Sequence, residues 1–230
     1  MVVSCTSGPG RVLEIEIGDD DAQPSPPFQL LPADQEELQV AVVRRFFSKE
    51  EVAAIHALAD FGNKKEIKDR DDGLIYKHHV WRMENELKDE CPRLYQRLMD
   101  TARSIDAQLW HGIEEGDRFF PEIEYIVYDV KELGEPGTIE PHCDNQSQVS
   151  MVMMLSSSDD FSGGINFFEG DTDEDPGRSA KLQLGDAVFF YGDRCEHWIT
   201  PVTAGRRVIL QMELSRGWIR CSGLFDWLRC

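Results

Sequence analysis

The chain has 230 residues, of which 41% are hydrophobic and 10% aromatic, enough apolar material for a folded core. It carries 43 acidic residues against 24 basic ones, so its formal net charge is −19. Nucleic acid is not expected as a partner, because non-specific binding to phosphates depends on basic surfaces. A membrane is not expected either, since no apolar run approaches the length of a membrane span.

The cysteines and the N-terminus bear on the expected location of the protein. The six cysteines are scattered along the chain and none belongs to a Cys-x-x-Cys motif. The N-terminal segment lacks a basic start followed by a long apolar stretch, so no secretory signal is predicted. The sequence therefore predicts an intracellular, cytoplasmic protein whose thiols are mostly reduced.

The chain divides into three predicted parts. Residues 1–36 are expected to be a flexible or extended N-terminal segment, with an aspartate run and a proline-rich stretch, and residues 12–17 alternate loosely like an additional strand. Residues 37–214 are expected to form the globular domain. Residues 215–230 form an apolar tail, which is expected to pack on the domain or against a partner.

Helices are predicted in the first half of the domain and strands in the second half. A strand over residues 40–47 precedes Ser48-Lys49-Glu50-Glu51, a capping box that predicts a helix through about Phe61. A long helix is predicted over residues 92–113, where apolar residues recur at steps of three or four. From Pro121 onward, short apolar runs separated by Gly, Pro and Asp turns predict one strand after another.

Four residues in the second half have the types and order of a metal site and an anion site. His142 and Asp144 stand two apart, so in a strand both point to the same face, whereas Cys143 points away. With His197 they supply two imidazoles and one carboxylate, the facial triad of non-haem Fe(II) oxygenases, which leaves coordination positions open. Arg207 follows ten places after His197, and its planar guanidinium suits bidentate pairing with a carboxylate.

The motifs around these residues resemble the 2-oxoglutarate/Fe(II)-dependent dioxygenase superfamily, specifically its prolyl 4-hydroxylase-like branch. The shared motifs are Pro-His-x-Asp, a Gly-Gly-x-x-x-Phe hairpin, a Gly-Asp turn before an apolar strand, and His-x3-Pro-Val-x2-Gly-x-Arg. In this chain they occupy residues 141–144, 163–168, 185–190 and 197–207. The resemblance covers roughly residues 120–214, which are expected to be the metal-binding core.

The resemblance implies a fold, a metal and a cosubstrate. The implied fold is α+β but mainly β, with a double-stranded β-helix (jelly roll) core and supporting N-terminal helices. Fe(II) is expected on His142, Asp144 and His197, with 2-oxoglutarate and O2 as cosubstrates and ascorbate as an additional candidate. Arg207 and Tyr128 are expected to bind the far carboxylate of 2-oxoglutarate, with Tyr125 as the alternative tyrosine.

The activity that the resemblance implies is hydroxylation of a C–H bond, because Asp144 is present where related halogenases lack the carboxylate ligand. The expected substrate is a prolyl or other amino-acid side chain in a protein, a peptide or a free amino acid, or another small molecule, and no residue selects among these. Two alternatives stay open. One is a cupin-like metalloenzyme that uses no keto acid and does not depend on Arg207, and the other is a non-catalytic relative that binds a peptide at the barrel mouth.

Overall fold

A computed structural model describes the backbone of residues 2–7, 11–16, 27–59, 64–69, 75–114, 118–172 and 174–216. It describes the side chains of residues 27–59, 77–114, 118–172 and 174–215. The predicted apolar tail lies almost wholly outside the described residues, and so does much of the predicted N-terminal segment. The strand expected at residues 12–17 is present as Arg11–Glu16.

Strands make up most of the described secondary structure. They are β1 (Val2–Ser7), β2 (Arg11–Glu16), β3 (Gln29–Leu31), β4 (Val40–Val43), β5 (Lys64–Asp69), β6 (Ile75–Arg82), β7 (Phe119–Asp129), β8 (Ser147–Met154), β9 (Phe161–Ser162), β10 (Asn166–Phe168), β11 (Arg178–Ala180), β12 (Ala187–Phe190), β13 (His197–Ile199) and β14 (Ala204–Arg216). The helices are α1 (Lys49–Ala59), α2 (Glu84–Glu90), α3 (Pro92–Leu109) and α4 (Val130–Leu133), with a 3-10 turn at Glu36–Leu38. Among the described helices, none is long and apolar enough to cross a membrane.

The strands form a large sheet and a small sheet. The large sheet has the order β3-β4-β12-β8-β14-β7-β6-β5, with β9 attached to β14, and the small sheet has the order β11-β10-β13. Strands β1 and β2 pair only with each other. From β8 onward the chain passes from the large sheet to the small sheet and back twice, and the pairings are antiparallel. This alternation is that of a double-stranded β-helix, so the predicted mainly β, jelly-roll fold is confirmed.

The helices cover the outer face of the large sheet. Helix α1 begins with the predicted capping box, in which Glu51 N donates to Ser48 Oγ at 3.2 Å and Ser48 N donates to Glu51 Oε2 at 2.8 Å. Helix α3 ends at Leu109, short of the predicted residue 113, because the Asp106 carboxylate accepts hydrogen bonds from the backbone after the helix. The apolar side chains that join these helices to strand β14 are Leu94, Leu98, Ile105, Val208, Leu210, Met212 and Leu214.

The inner face of the large sheet looks toward the small sheet. Because side chains alternate along a strand, Arg207, Ile209, Gln211 and Glu213 of β14 share this inner face. Ile209 belongs to a second apolar cluster that includes Phe168 of the small sheet. The space between the two sheets is therefore lined by apolar side chains, with the polar side chains of Arg207, Gln211 and Glu213 projecting into it from β14.

Candidate metal centre

Two segments of the chain meet at the predicted metal ligands. His142 N donates to His197 O at 3.1 Å, and His197 N donates to His142 O at 2.9 Å. His197 begins β13, whereas His142 forms only an isolated bridge and Asp144 lies in the loop that follows. The expectation of a regular strand at residues 142–144 is therefore wrong, although the side chains of His142 and Asp144 still converge.

The three side chains bring one potential ligand atom each to a common point. His142 Nε2 lies 3.5 Å from Asp144 Oδ1, and His197 Nε2 lies 3.6 Å from Asp144 Oδ2. One ligand atom from each residue lies within 4.8 Å of the others. His197 and Asp144 are buried. The donor set of two imidazoles and one carboxylate suits Fe(II), and it is compact enough for a single ion.

Backbone carbonyls select the histidine tautomers. His142 Nδ1 donates to Glu140 O at 2.7 Å, and His197 Nδ1 donates to Cys195 O at 3.1 Å. Since a carbonyl can only accept, each Nδ1 carries the proton and each Nε2 turns its lone pair toward Asp144. Burial lowers the pKa of His197, although the Asp144 carboxylate opposes this effect, and a low pKa favours the neutral imidazole that binds metal.

The Asp144 carboxylate is buried but remains in its charged form. Burial alone would raise its pKa, yet the neighbouring His197 and His142 and a hydrogen bond from Ser150 together lower it. Ser150 Oγ donates to Asp144 Oδ2 at 2.5 Å. The sequence did not single out Ser150, because its role depends on a contact between a loop and strand β8.

Arg207 is a fully buried cation without a carboxylate partner among the described residues. Its Nη2 donates to Asn166 Oδ1 at 3.0 Å, while its Nε and Nη1 have no hydrogen-bond partner in this part of the chain. Burial lowers its pKa and Tyr128 opposes this, but a guanidinium keeps its charge in proteins. A buried charge with unsatisfied donors is costly, so this guanidinium fits an anionic ligand that accepts from it.

The structure distinguishes the two candidate tyrosines by the face that each occupies. Tyr128 lies opposite Arg207 in the register of β7 and β14, and the guanidinium carbon is 5.2 Å from the Tyr128 ring centroid. Tyr125 lies on the outer face, where its hydroxyl is 2.7 Å from His56 Nδ1 of helix α1. Only Tyr128 therefore shares the inner face with Arg207.

His142 and His197 of the predicted triad and Arg207 line one narrow cleft between the sheets. Its walls are mostly apolar and aromatic, which limits the access of water to the polar groups at its ends. The lining residues are Tyr128, Ile139, His142, Val152, Asn166, Phe167, Phe168, Phe190, His197, Trp198, Ile199, Arg207, Ile209 and Gln211.

Beside the cleft, the inner face of β7 and β14 is acidic. Glu213 lies directly opposite Glu122 in register, and Glu124 is the next inward residue of β7. Arg82 of β6 pairs with both β7 glutamates, at 2.9 Å from Glu124. Burial first, and then the negative charges of Asp144, Glu122 and Glu124, raise the pKa of Glu213 to about 8. With this pKa Glu213 is mostly protonated at neutral pH, and Arg82 offsets part of the negative charge of Glu122 and Glu124.

Comparison with known proteins finds one family model that matches the part of the chain containing this site. Residues 125–215 match the family model of the 2OG-Fe(II) oxygenase superfamily. This range contains His142, Asp144, His197 and Arg207, the four residues that the sequence motifs single out. A search of curated proteins finds no match.

Several solved structures have a similar fold. A prolyl-4-hydroxylase from Pseudomonas putida is 16% identical with a TM-score of 0.58, and the match covers 78% of this chain and 93% of that one. An oxidoreductase of the 2OG-Fe(II) oxygenase family from Burkholderia pseudomallei is 18% identical with a TM-score of 0.56, covering 77% and 85%. The epimerase SnoN, solved with Fe3+, alpha ketoglutarate and nogalamycin RO, is 16% identical with a TM-score of 0.56, covering 83% and 88%. At these identities the likeness concerns the fold.

Proposed function

We propose that this chain is a member of the 2OG-Fe(II) oxygenase superfamily, whose family model it matches over residues 125–215, and that it hydroxylates a C–H bond of a peptide, protein or small molecule. Fe(II), 2-oxoglutarate and O2 are the cofactor and cosubstrates of this family, and together they supply the oxidising chemistry that replaces hydrogen by hydroxyl. The observation that carries the proposal is the shared cleft. It is lined by both histidines of the compact His-Asp-His group and by a buried arginine with unsatisfied N–H groups.

In this proposal His142, Asp144 and His197 hold Fe(II). The two Nδ1 hydrogen bonds to backbone carbonyls leave Nε2 of each imidazole as the atom that can bind the metal. The lowered pKa of Asp144 keeps the carboxylate available as an anionic ligand.

Arg207 and Tyr128 bind the far carboxylate of 2-oxoglutarate. The unsatisfied Nε and Nη1 of Arg207 point from different edges of the guanidinium, and each can donate a charge-assisted hydrogen bond to a carboxylate oxygen. Burial excludes water, so the ion pair is stronger there than at the surface. The two residues thereby orient the keto acid with its other end toward the triad.

The proposed substrate class comes from a structural relative. The similar Pseudomonas putida structure is a prolyl-4-hydroxylase, so a prolyl or other amino-acid side chain is the first class to test. A cytoplasmic location is proposed with this function, supported by the free thiols of Cys91, Cys143 and Cys195.

The test is an anaerobic titration of Fe(II) and 2-oxoglutarate that follows the visible charge-transfer band of the chelate. We expect the wild-type protein to form the band, His197→Ala to lose it, and Arg207→Ala to require much more 2-oxoglutarate. Arg206→Ala is the matched control, because Arg206 is exposed on the opposite face of the same strand. Its titration should match the wild type.

Each contrary outcome points to a different alternative. If folded, metal-loaded wild type shows no band, the dioxygenase proposal fails and a non-catalytic peptide-binding protein becomes the leading alternative. If the protein binds Fe(II) and its activity is unchanged in Arg207→Ala, the cupin-like metalloenzyme without a keto acid is favoured.

A further inference from the structure

Three hydrogen bonds to other residues of the chain hold Asp144 in place. Its backbone N donates to Gly192 O at 2.9 Å, and its backbone O accepts from Ser147 N at 3.0 Å. Its side-chain Oδ2 accepts from Ser150 Oγ at 2.5 Å. The first two contacts fix where the residue sits, and the third fixes how its carboxylate is rotated.

The two serines form a short chain of hydroxyls that ends on the carboxylate. Ser147 and Ser150 are both fully buried, and their Oγ atoms are 3.0 Å apart. Since the single Ser150 proton is donated to Asp144, the Ser147 hydroxyl donates to the Ser150 oxygen. Such a chain polarises each hydroxyl and strengthens the final bond to the charged acceptor.

Gly192 provides the space for this arrangement. A Cβ atom at Gly192 would lie 2.2 Å from Ser150 Oγ and 2.8 Å from Ser147 Cβ. Gly192 also supplies the carbonyl that accepts from the Asp144 backbone. The segment after β12 and the start of β8 therefore fit together only with a glycine at this place.

We propose that Ser150 is a positioning residue for the metal, acting through the Asp144 carboxylate. The proposal rests on the proposed function, because it requires a metal at the triad. By occupying one lone pair of Oδ2, the hydroxyl holds the carboxylate in one rotation relative to His142 and His197. Loss of such an outer partner typically weakens metal binding by roughly 10–100-fold, because the ligand must then be ordered by the metal itself.

The decisive experiment measures Mn(II) affinity from the electron paramagnetic resonance signal of the free ion. Ser150→Ala should bind Mn(II) roughly 10–100-fold more weakly than wild type. Ser156→Ala is the matched control, because Ser156 is also a buried serine whose hydroxyl accepts from Val208 N at 3.0 Å, but it lies beyond the far end of β8. Its Mn(II) affinity should stay within about twofold of wild type.

The remaining outcomes separate this inference from the proposed function. If wild type binds Mn(II) and Ser150→Ala binds it equally well, or loses no more affinity than Ser156→Ala, the positioning role is overturned and the metal site stands. If wild type binds no Mn(II), the proposed function fails and this inference fails with it. Should Ser150→Ala not fold, Ser147→Ala takes its place, with a loss of about two- to fivefold expected and an unchanged affinity contradicting the proposal.

Discussion

Arg207 and Asn166 link the two sheets through one hydrogen bond of 3.0 Å, from the guanidinium Nη2 to the amide Oδ1. The orientation of the amide follows from its other end, where Asn166 Nδ2 donates to Ala180 O at 3.3 Å. Asn166 is buried, and it is uncharged. Within the part of the chain that the structure describes, Arg207 is therefore held in place without a counter-ion, and its charge remains available to a ligand.

The first prediction follows from this neutral partner. Asn166→Asp places a carboxylate against Arg207, and the internal ion pair should then compete with 2-oxoglutarate. We expect the affinity of the Mn(II)-loaded protein for 2-oxoglutarate, measured by calorimetry, to fall by at least about tenfold. Pyruvate lacks the far carboxylate, so its weak binding should not change.

Asn85→Asp is the control for this substitution, because it adds the same charge at an exposed position of α2. Its affinity for 2-oxoglutarate should equal that of wild type. An unchanged affinity in Asn166→Asp would mean that Arg207 does not bind the far carboxylate.

The second prediction concerns Gly164, which lies in the Gly-Gly motif. Its φ is +63°, and a Cβ atom there would lie 2.5 Å from Arg207 Cδ. Gly134 has a similar φ of +74° but nothing within 4 Å of its Cβ position. Gly134→Ala should lower the free energy of unfolding, measured with urea, only by the left-handed backbone strain of about 1–2 kcal/mol. Gly164→Ala should lower it further and also weaken 2-oxoglutarate binding, because Arg207 must move. Equal effects of the two variants would contradict this prediction.

The third prediction separates the two tyrosines. Tyr128→Phe should weaken 2-oxoglutarate binding by about tenfold, since a hydrogen bond to a charged group contributes about 1.5–3 kcal/mol. Tyr125→Phe removes the contact with His56 on the outer face. It should lower the free energy of unfolding by about 1 kcal/mol and leave 2-oxoglutarate binding unchanged. The reverse pattern would assign the cosubstrate contact to Tyr125.

The sequence singled out the site residues that belong to short motifs. His142 and Asp144 are two residues apart, and His197 and Arg207 belong to one motif, so residue type and order were enough to select them. Asn166 was not singled out, because its contact joins residues 41 positions apart in sequence and depends on how the two sheets pack. The same holds for Ser150, whose importance appears only when the loop at Asp144 folds onto β8.

The sequence likewise predicted the elements of the fold that have a regular local pattern of apolar residues or turns. Repeated strand and turn signals predicted the series of strands, the resemblance to the superfamily implied the jelly roll, and the long apolar stripe predicted α3. Helix α2 was not predicted, because in Glu84–Glu90 only Leu87 is buried and one apolar residue makes no periodic pattern. The predicted strand at residues 40–47 ends at Val43, since Arg45 adopts a φ of +53° and turns the chain toward α1.

A final consequence concerns pH and the raised pKa of Glu213. The pKa of this carboxyl is about 8 in the folded protein against an ordinary value of 4.5. Between these values the folded state binds more protons than the unfolded state, so the free energy of unfolding falls as pH rises. The stabilising contribution of Glu213 is thus fully present below about pH 4.5 and is lost progressively as pH rises toward and through the folded pKa.

Glu213→Gln removes the titration while keeping the shape of the side chain and a donor or acceptor for Gln211. The metal-free variant should therefore have nearly the wild-type urea midpoint at pH 5 and a higher midpoint than wild type at pH 8–9, where wild-type Glu213 is forced to ionise beside Glu122 and Glu124. Glu37→Gln removes the same charge from an exposed position and should change the two midpoints by similar small amounts. If Glu213→Gln gave no stabilisation at the higher pH, the carboxyl would be ionised without cost, and the acidic face would be better hydrated than its burial implies.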